Sequence, residues 1–135
     1  MVAMERALNS VLIVDDHPLF CDALSMTLRA VAGIEVIDTA DRLETAIARL
    51  DIAPLPDLIV LDLNLPDVNG LDGLIRLRAS AGMVPVVVVS SLADNRVIGA
   101  CLAAGAAGFR TALMAGLLGG WRMGRGKTSA GLRAW

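Results

Sequence analysis

Val11-Leu12-Ile13-Val14 runs directly into Asp15-Asp16, Leu58-Ile59-Val60-Leu61 into Asp62, and Val86-Val87-Val88-Val89 into Ser90. Short, uniformly apolar runs rich in β-branched residues are what strands buried on both faces of a parallel sheet require. The strands of such a sheet finish at one edge, and ligands bind in the crevice there. Three carboxylates and a hydroxyl, far apart in sequence, are therefore expected to meet at one place.

Between these runs the periodicity changes. Phe20, Leu24, Leu28 and Val31 mark one face of a helix that Gly33 stops. Ile34 to Ile37 reads as a second strand. Leu43, Ala46, Ile47 and Leu50 follow the i, i+3, i+4, i+7 spacing of an amphipathic helix, ended by Pro54 and Pro56. The loop from Leu63 to Gly70 holds Pro66 and the turn pair Asn69-Gly70, and a helix is expected from Leu71 to Ser80. Pro85 opens the next strand. Asp94 is placed to cap a helix burying Val97, Ile98, Cys101 and Leu102, which Gly105 closes. Ala107 to Arg110 reads as a short fifth strand. Strands and helices alternating through short connections predict an α/β fold, an open sheet with helices on both faces.

The 135 residues suit one domain with a single core. All fourteen acids lie at or before Asp94, against six bases, so the front carries −8 and the remainder +6. Only four bases follow Thr111, without a helical stripe, which argues against nucleic-acid binding. Cys21 and Cys101 sit in helical apolar patterns and read as buried, reduced thiols of an intracellular protein. No signal peptide is visible. The stretch from Val97 to Trp121 is apolar, but Arg110 near its middle would cost about 2.5–3.5 kcal/mol in a bilayer. A cytoplasmic chain without membrane contact is expected. Residues 1–8 read as an extension, 9–118 as the domain with a short or irregular last helix, and 119–135 as a poorly ordered tail rich in Gly, Arg and Trp.

Asp15, Asp16 and Asp62 at strand ends repel one another and call for a cation, and all-oxygen ligands favour Mg²⁺. An ion held by so few carboxylates keeps positions open for water and phosphate oxygens. One carboxylate can then attack phosphorus while the metal neutralises charge, with Ser90 donating to a phosphoryl oxygen. Taken singly, each acid reads as well as an ordinary strand-end or capping residue; it is their common position that speaks for a site.

VLIVDDHPLF, DLIVLDLNLPDVNGLDGL, PVVVVSS and AAGAAGF resemble, in order and spacing, the receiver domain of bacterial two-component response regulators. The DDH opening and the GAAGF segment are most similar to the NarL/LuxR-type subgroup. The resemblance covers residues 9–110 and implies a flavodoxin-like, doubly wound five-stranded parallel sheet of order 2-1-3-4-5. It implies Asp62 as phosphoacceptor, Asp16 as direct Mg²⁺ ligand, Asp15 as its water-mediated companion, and the backbone carbonyl of Asn64 as a further ligand. Ser90 matches the switch hydroxyl and Phe109 the switch aromatic. A sensor histidine kinase is the implied partner, with a homodimer or a downstream protein receiving the signal. Self-catalysed phosphotransfer and dephosphorylation are the only chemistry implied, not enzymatic turnover. The subgroup usually carries a helix-turn-helix DNA-binding domain, and none is expected within these 135 residues.

One match fails. The family places a lysine three residues after the aromatic, where Ala112 stands, and Lys127 is the only lysine. Without that cation, transition-state stabilisation and coupling to the switch should weaken. Acids disappear and Gly, Arg and Trp rise after Phe109, consistent with a frame change or with a divergent or engineered terminus. Three other motifs carry less. Gly126-Lys127-Thr128 lacks the first glycine and the preceding strand of a P-loop. His17, the only histidine, reads as an exposed residue at a helix start near the acids. The Leu63-Asn64 sequence after Asp62 departs from the DxD pattern of aspartate-nucleophile phosphatases. A degenerate receiver acting only as an interaction module is the remaining rival, favoured by Ala112.

Overall fold

The computed structural model describes residues 8–90 and 95–111. Along the chain lie β1 (Ser10–Val14), α1 (Pro18–Ala32), β2 (Val36–Ala40), α2 (Leu43–Leu50) and β3 (Leu58–Asp62). There follow α3 (Gly70–Ala81), β4 (Val86–Ser90), α4 (Asn95–Ala103) and β5 (Gly108–Thr111). All strand pairs are parallel, in the order β2-β1-β3-β4-β5, the flavodoxin-like arrangement expected from the sequence. Asp94, Ala112 and the tail after it lie outside the described residues.

The three apolar runs are the central strands, and their side chains alternate between two cores, as the pleat requires. Leu12, Val14, Ile59, Leu61, Val86 and Val88 pack with Leu43, Ala46 and Leu50 of α2, Leu74 and Leu77 of α3 and Cys101 of α4. Val11, Ile13, Leu58, Val60, Val87 and Val89 pack on the other face with Cys21, Leu24 and Leu28 of α1. A strand buried on both sides leaves room for a functional polar residue only at its end, as with Asp62 and Ser90, the last residues of β3 and β4. That is why the first polar groups all fall at one edge.

Four details depart from the periodicity. The second strand is Val36–Ala40 rather than Ile34 to Ile37. As an edge strand paired only with β1 it tolerates Asp38 and Thr39, which interrupt the apolar pattern. Ile34 precedes it as a core plug: the chain turns at Gly33 (φ 68°), and the Ile34 N–H bonds the Leu28 carbonyl at 3.2 Å. Val31, assigned to the buried face of α1, is therefore exposed, Ile34 being buried in its stead. Leu102 is likewise partly exposed, at 42%, because α4 turns Cys101 into the core. The fifth strand begins one residue late, at Gly108.

The segment between β3 and α3 is tied down from across the sheet edge. Arg42, at the N-cap of α2, offers no side-chain cap. Asp67 supplies one instead, accepting from Leu43 N–H at 2.9 Å and Glu44 N–H at 3.0 Å. Desolvation raises the Asp67 carboxyl, but these backbone donors and nearby Arg42 outweigh it and hold the group below its usual range. The cap joins α2 to the segment that follows Asp62. Among the described residues, no helix is long and apolar enough to cross a membrane.

Candidate functional site

Register brings the polar strand ends together. Val14 pairs with Leu61, so Asp15 stands level with Asp62; Asp62 pairs with Val89, so Ser90 lies one step further on the adjacent strand. Asp15, Asp62 and Ser90 are the buried polar residues of the described core. Asp16 leaves the sheet and is about one-third exposed. Ligand atoms of Asp15, Asp16, His17 and Asp62 all lie within 4.8 Å of one another.

Each carboxylate is positioned differently. Asp15 Oδ1 accepts from the His17 backbone N–H at 2.8 Å, a local turn that starts α1 at Pro18. Asp62 Oδ1 accepts from the Asn64 N–H at 3.0 Å. Oδ1 of Asp16 and Oδ2 of Asp62 are buried and accept no hydrogen bond. Burial pushes the Asp62 carboxyl above its ordinary range; the Asn64 N–H and His17 oppose this, while Asp15 and Asp16 add to it. Buried carboxylate oxygens without donors are costly, and a cation is the partner that would satisfy both at once. Converging carboxylates fit a hard divalent ion such as Mg²⁺.

A cleft of about 450 Å³ opens beside this edge, bordered by Asp15, Asp16, Asp22, Thr39 and Arg42. Cys21 lies beneath it, its thiol donating to the Asp15 carbonyl at 3.5 Å. Burial, reinforced by the surrounding acids, pushes that thiol up to about 11, so it is an inert filler. Both cysteines are free and buried, as their apolar context suggests.

Sequence reasoning underrated His17. Its ring is exposed, yet Nδ1 lies 2.7 Å from Asp15 Oδ1, 3.2 Å from Asp16 Oδ1 and 3.6 Å from Asp62 Oδ2. The hydrogen bond and charge of Asp15 raise the imidazole above its ordinary value, against slight desolvation, with help from Asp16 and Asp62. Its place directly after Asp16 and before a helix-starting proline was the available signal. Phe109 stands on β5 opposite Val88 in register.

Comparison with known proteins agrees with this geometry. The model of the response regulator receiver domain matches residues 11–111. The glycerol metabolism activator of Pseudomonas putida is 44% identical over 102 residues, covering 75% of this chain and 46% of that protein. The transcription regulator BvgA of Bordetella pertussis is 36% identical over 103 residues, covering 75% and 47%. The receiver domain of NarL from Mycobacterium tuberculosis superposes with a TM-score of 0.69 at 27% identity, over 79% of this chain and 86% of that one. The chain thus spans about half the length of these two curated regulators. With its strand order, its acidic edge and a family match across nearly the whole described sheet, the chain belongs to the response regulator receiver domains.

Proposed function

We propose that Asp62 accepts a phosphoryl group from the phosphohistidine of a sensor kinase. The observation that carries this is the Asp62 carboxylate itself: buried at the strand edge, anchored through Oδ1 by Asn64 N–H, with Oδ2 unpartnered among further acids. A carboxylate oxygen attacks phosphorus, the P–N bond breaks, and its electron pair leaves with the imidazole, which takes up a proton. Asp15, Asp16, Asp62 and the Asn64 carbonyl are the residues that would hold Mg²⁺. Once bound, that ion supplies positive charge against the equatorial phosphoryl oxygens. Ser90, at the end of β4, serves as hydroxyl donor to the phosphoryl group and Phe109 as the switch aromatic. The fitting context is the cytoplasm, with a second copy or a downstream protein reading the phosphorylated state. The names of the relatives point to transcription as the output of a longer protein.

The test is intact-mass analysis after incubation with acetyl phosphate and Mg²⁺. A single acid-stable, base-labile adduct is expected in the wild type and none in Asp62→Asn; an adduct persisting in the variant refutes the assignment. The second reading, a receiver that signals by binding alone, is favoured by Ala112 where the family places its lysine. It predicts no adduct in either protein.

A further inference from the structure

His17 is the one ring nitrogen beside the acidic edge, and the reading of that edge as a metal site gives it no part. Its placement is fixed on both sides: the backbone N–H is held by Asp15 Oδ1, and Pro18 begins α1 immediately after it. Nδ1 faces Asp15 Oδ1, Asp16 Oδ1 and Asp62 Oδ2 at 2.7, 3.2 and 3.6 Å. Neighbouring ligand atoms of an octahedral ion with bonds of about 2.1 Å lie about 3.0 Å apart, in the middle of that range. Two of the three oxygens lack hydrogen-bond partners, and one belongs to Asp62, whose side chain is only 7% exposed. A buried, unpartnered carboxylate oxygen 3.6 Å from an imidazole nitrogen makes a different donor set from three carboxylates alone.

We propose that His17 is an additional ligand of the metal bound at this edge, through Nδ1, which gives up to solvent the proton of its hydrogen bond to Asp15 Oδ1 and leaves the ring proton on Nε2. The consequence is selectivity. Mg²⁺ prefers oxygen and gains little from an imidazole, whereas Co²⁺, Ni²⁺ and Zn²⁺ accept one readily. The site therefore takes a first-row transition ion as an N,O-ligated cation, more tightly than an all-carboxylate edge would. This rests on the reading of Asp15, Asp16 and Asp62 as the metal edge.

The full chain is titrated with Co²⁺ and, separately, with Mg²⁺, for wild type, His17→Asn and Asp62→Asn. Loss of partners one shell further out already costs metal sites about 10–100-fold. His17→Asn should accordingly weaken Co²⁺ by about tenfold or more while moving Mg²⁺ by far less. Because the chain has one histidine, its ring ¹⁵N signals are unambiguous. Zn²⁺ should shift Nδ1 strongly and Mg²⁺ should not. Equal loss of both ions in His17→Asn, or an unmoved Nδ1 signal with Zn²⁺ bound, overturns the inference. If Asp62→Asn weakens both ions and His17→Asn neither, the metal edge stands and the His17 ligand falls. If Asp62→Asn leaves both affinities unchanged, the metal edge itself is wrong, and the inference falls with it.

Discussion

Replacing the proposed acceptor should make the metal-free protein more stable. In Asp62→Asn one of three carboxylates clustered within 4.8 Å loses its charge, while an amide oxygen remains to accept from Asn64 N–H. At 4.8 Å two unit charges repel by about 0.9 kcal/mol at the dielectric constant of water and about 3.5 kcal/mol at an effective value of 20. The edge lies between these limits, being buried at Asp15 and Asp62 but open at Asp16. Relief from two neighbours, less the attraction lost to His17 and Asn64, leaves a net gain of about 2 kcal/mol. In a domain of this size that raises Tm by about 8 °C. The gain has a defined pH window. Since the folded-state carboxyl sits above its ordinary value of 3.8, the wild type loses stability as pH rises from there through the raised value. The variant escapes that loss, so the difference is full at neutral pH and vanishes below about 3.8. Saturating Mg²⁺ should narrow or reverse the order, because binding at 100 times Kd adds about 2.7 kcal/mol to the protein that retains the site. Thermal melts in chelator and in Mg²⁺, from pH 3 to 8, check each part. A variant less stable than wild type in chelator at pH 7 would refute the reasoning, since it would mean that the acids are compensated by partners other than a cation.

Two further outcomes test the frame that holds the edge. Asp67→Ala removes the distant cap of α2 and should cost about 1 kcal/mol by urea unfolding, with Asp67→Asn retaining part of it. Since the Asp67 carboxyl is held below its ordinary value, its contribution is complete above about 3.8 and lost as pH falls through the lower folded-state value. An unchanged midpoint at pH 7 would show that the bonds add nothing. Cys21 should resist iodoacetamide in the native protein at pH 8 and react once urea unfolds it, because its thiol is buried and pushed up to about 11. Rapid native alkylation at Cys21, read by peptide mass, would contradict that placement.

The central strands and the polar residues that end them were legible because burial on both faces leaves one solution for such runs. Val11–Val14, Leu58–Leu61 and Val86–Val89 are apolar throughout, so the buried polar residues Asp15, Asp62 and Ser90 that follow them stand out at the strand ends. The same logic was weaker where burial is one-sided. The edge strand Val36–Ala40 mixes polar and apolar residues, and its apolar neighbour Ile34 imitates a strand start while serving as a plug beside α1. Val31 shows the related error on a helix: periodicity assigns a face, but where the chain turns decides whether that face still meets the sheet. Sequence by itself thus determined the fold class and the carboxylates of the edge, which follow from local pattern and spacing, while the order of the parallel strands came from the family resemblance alone. Tertiary structure alone decided which atoms are near which. The Asp67 cap spans 24 residues with no local signal, and the aim of His17 Nδ1 at three acids depends on strand register and on the turn into α1. Such distances arise when separate segments pack together, and no spacing along one chain encodes them.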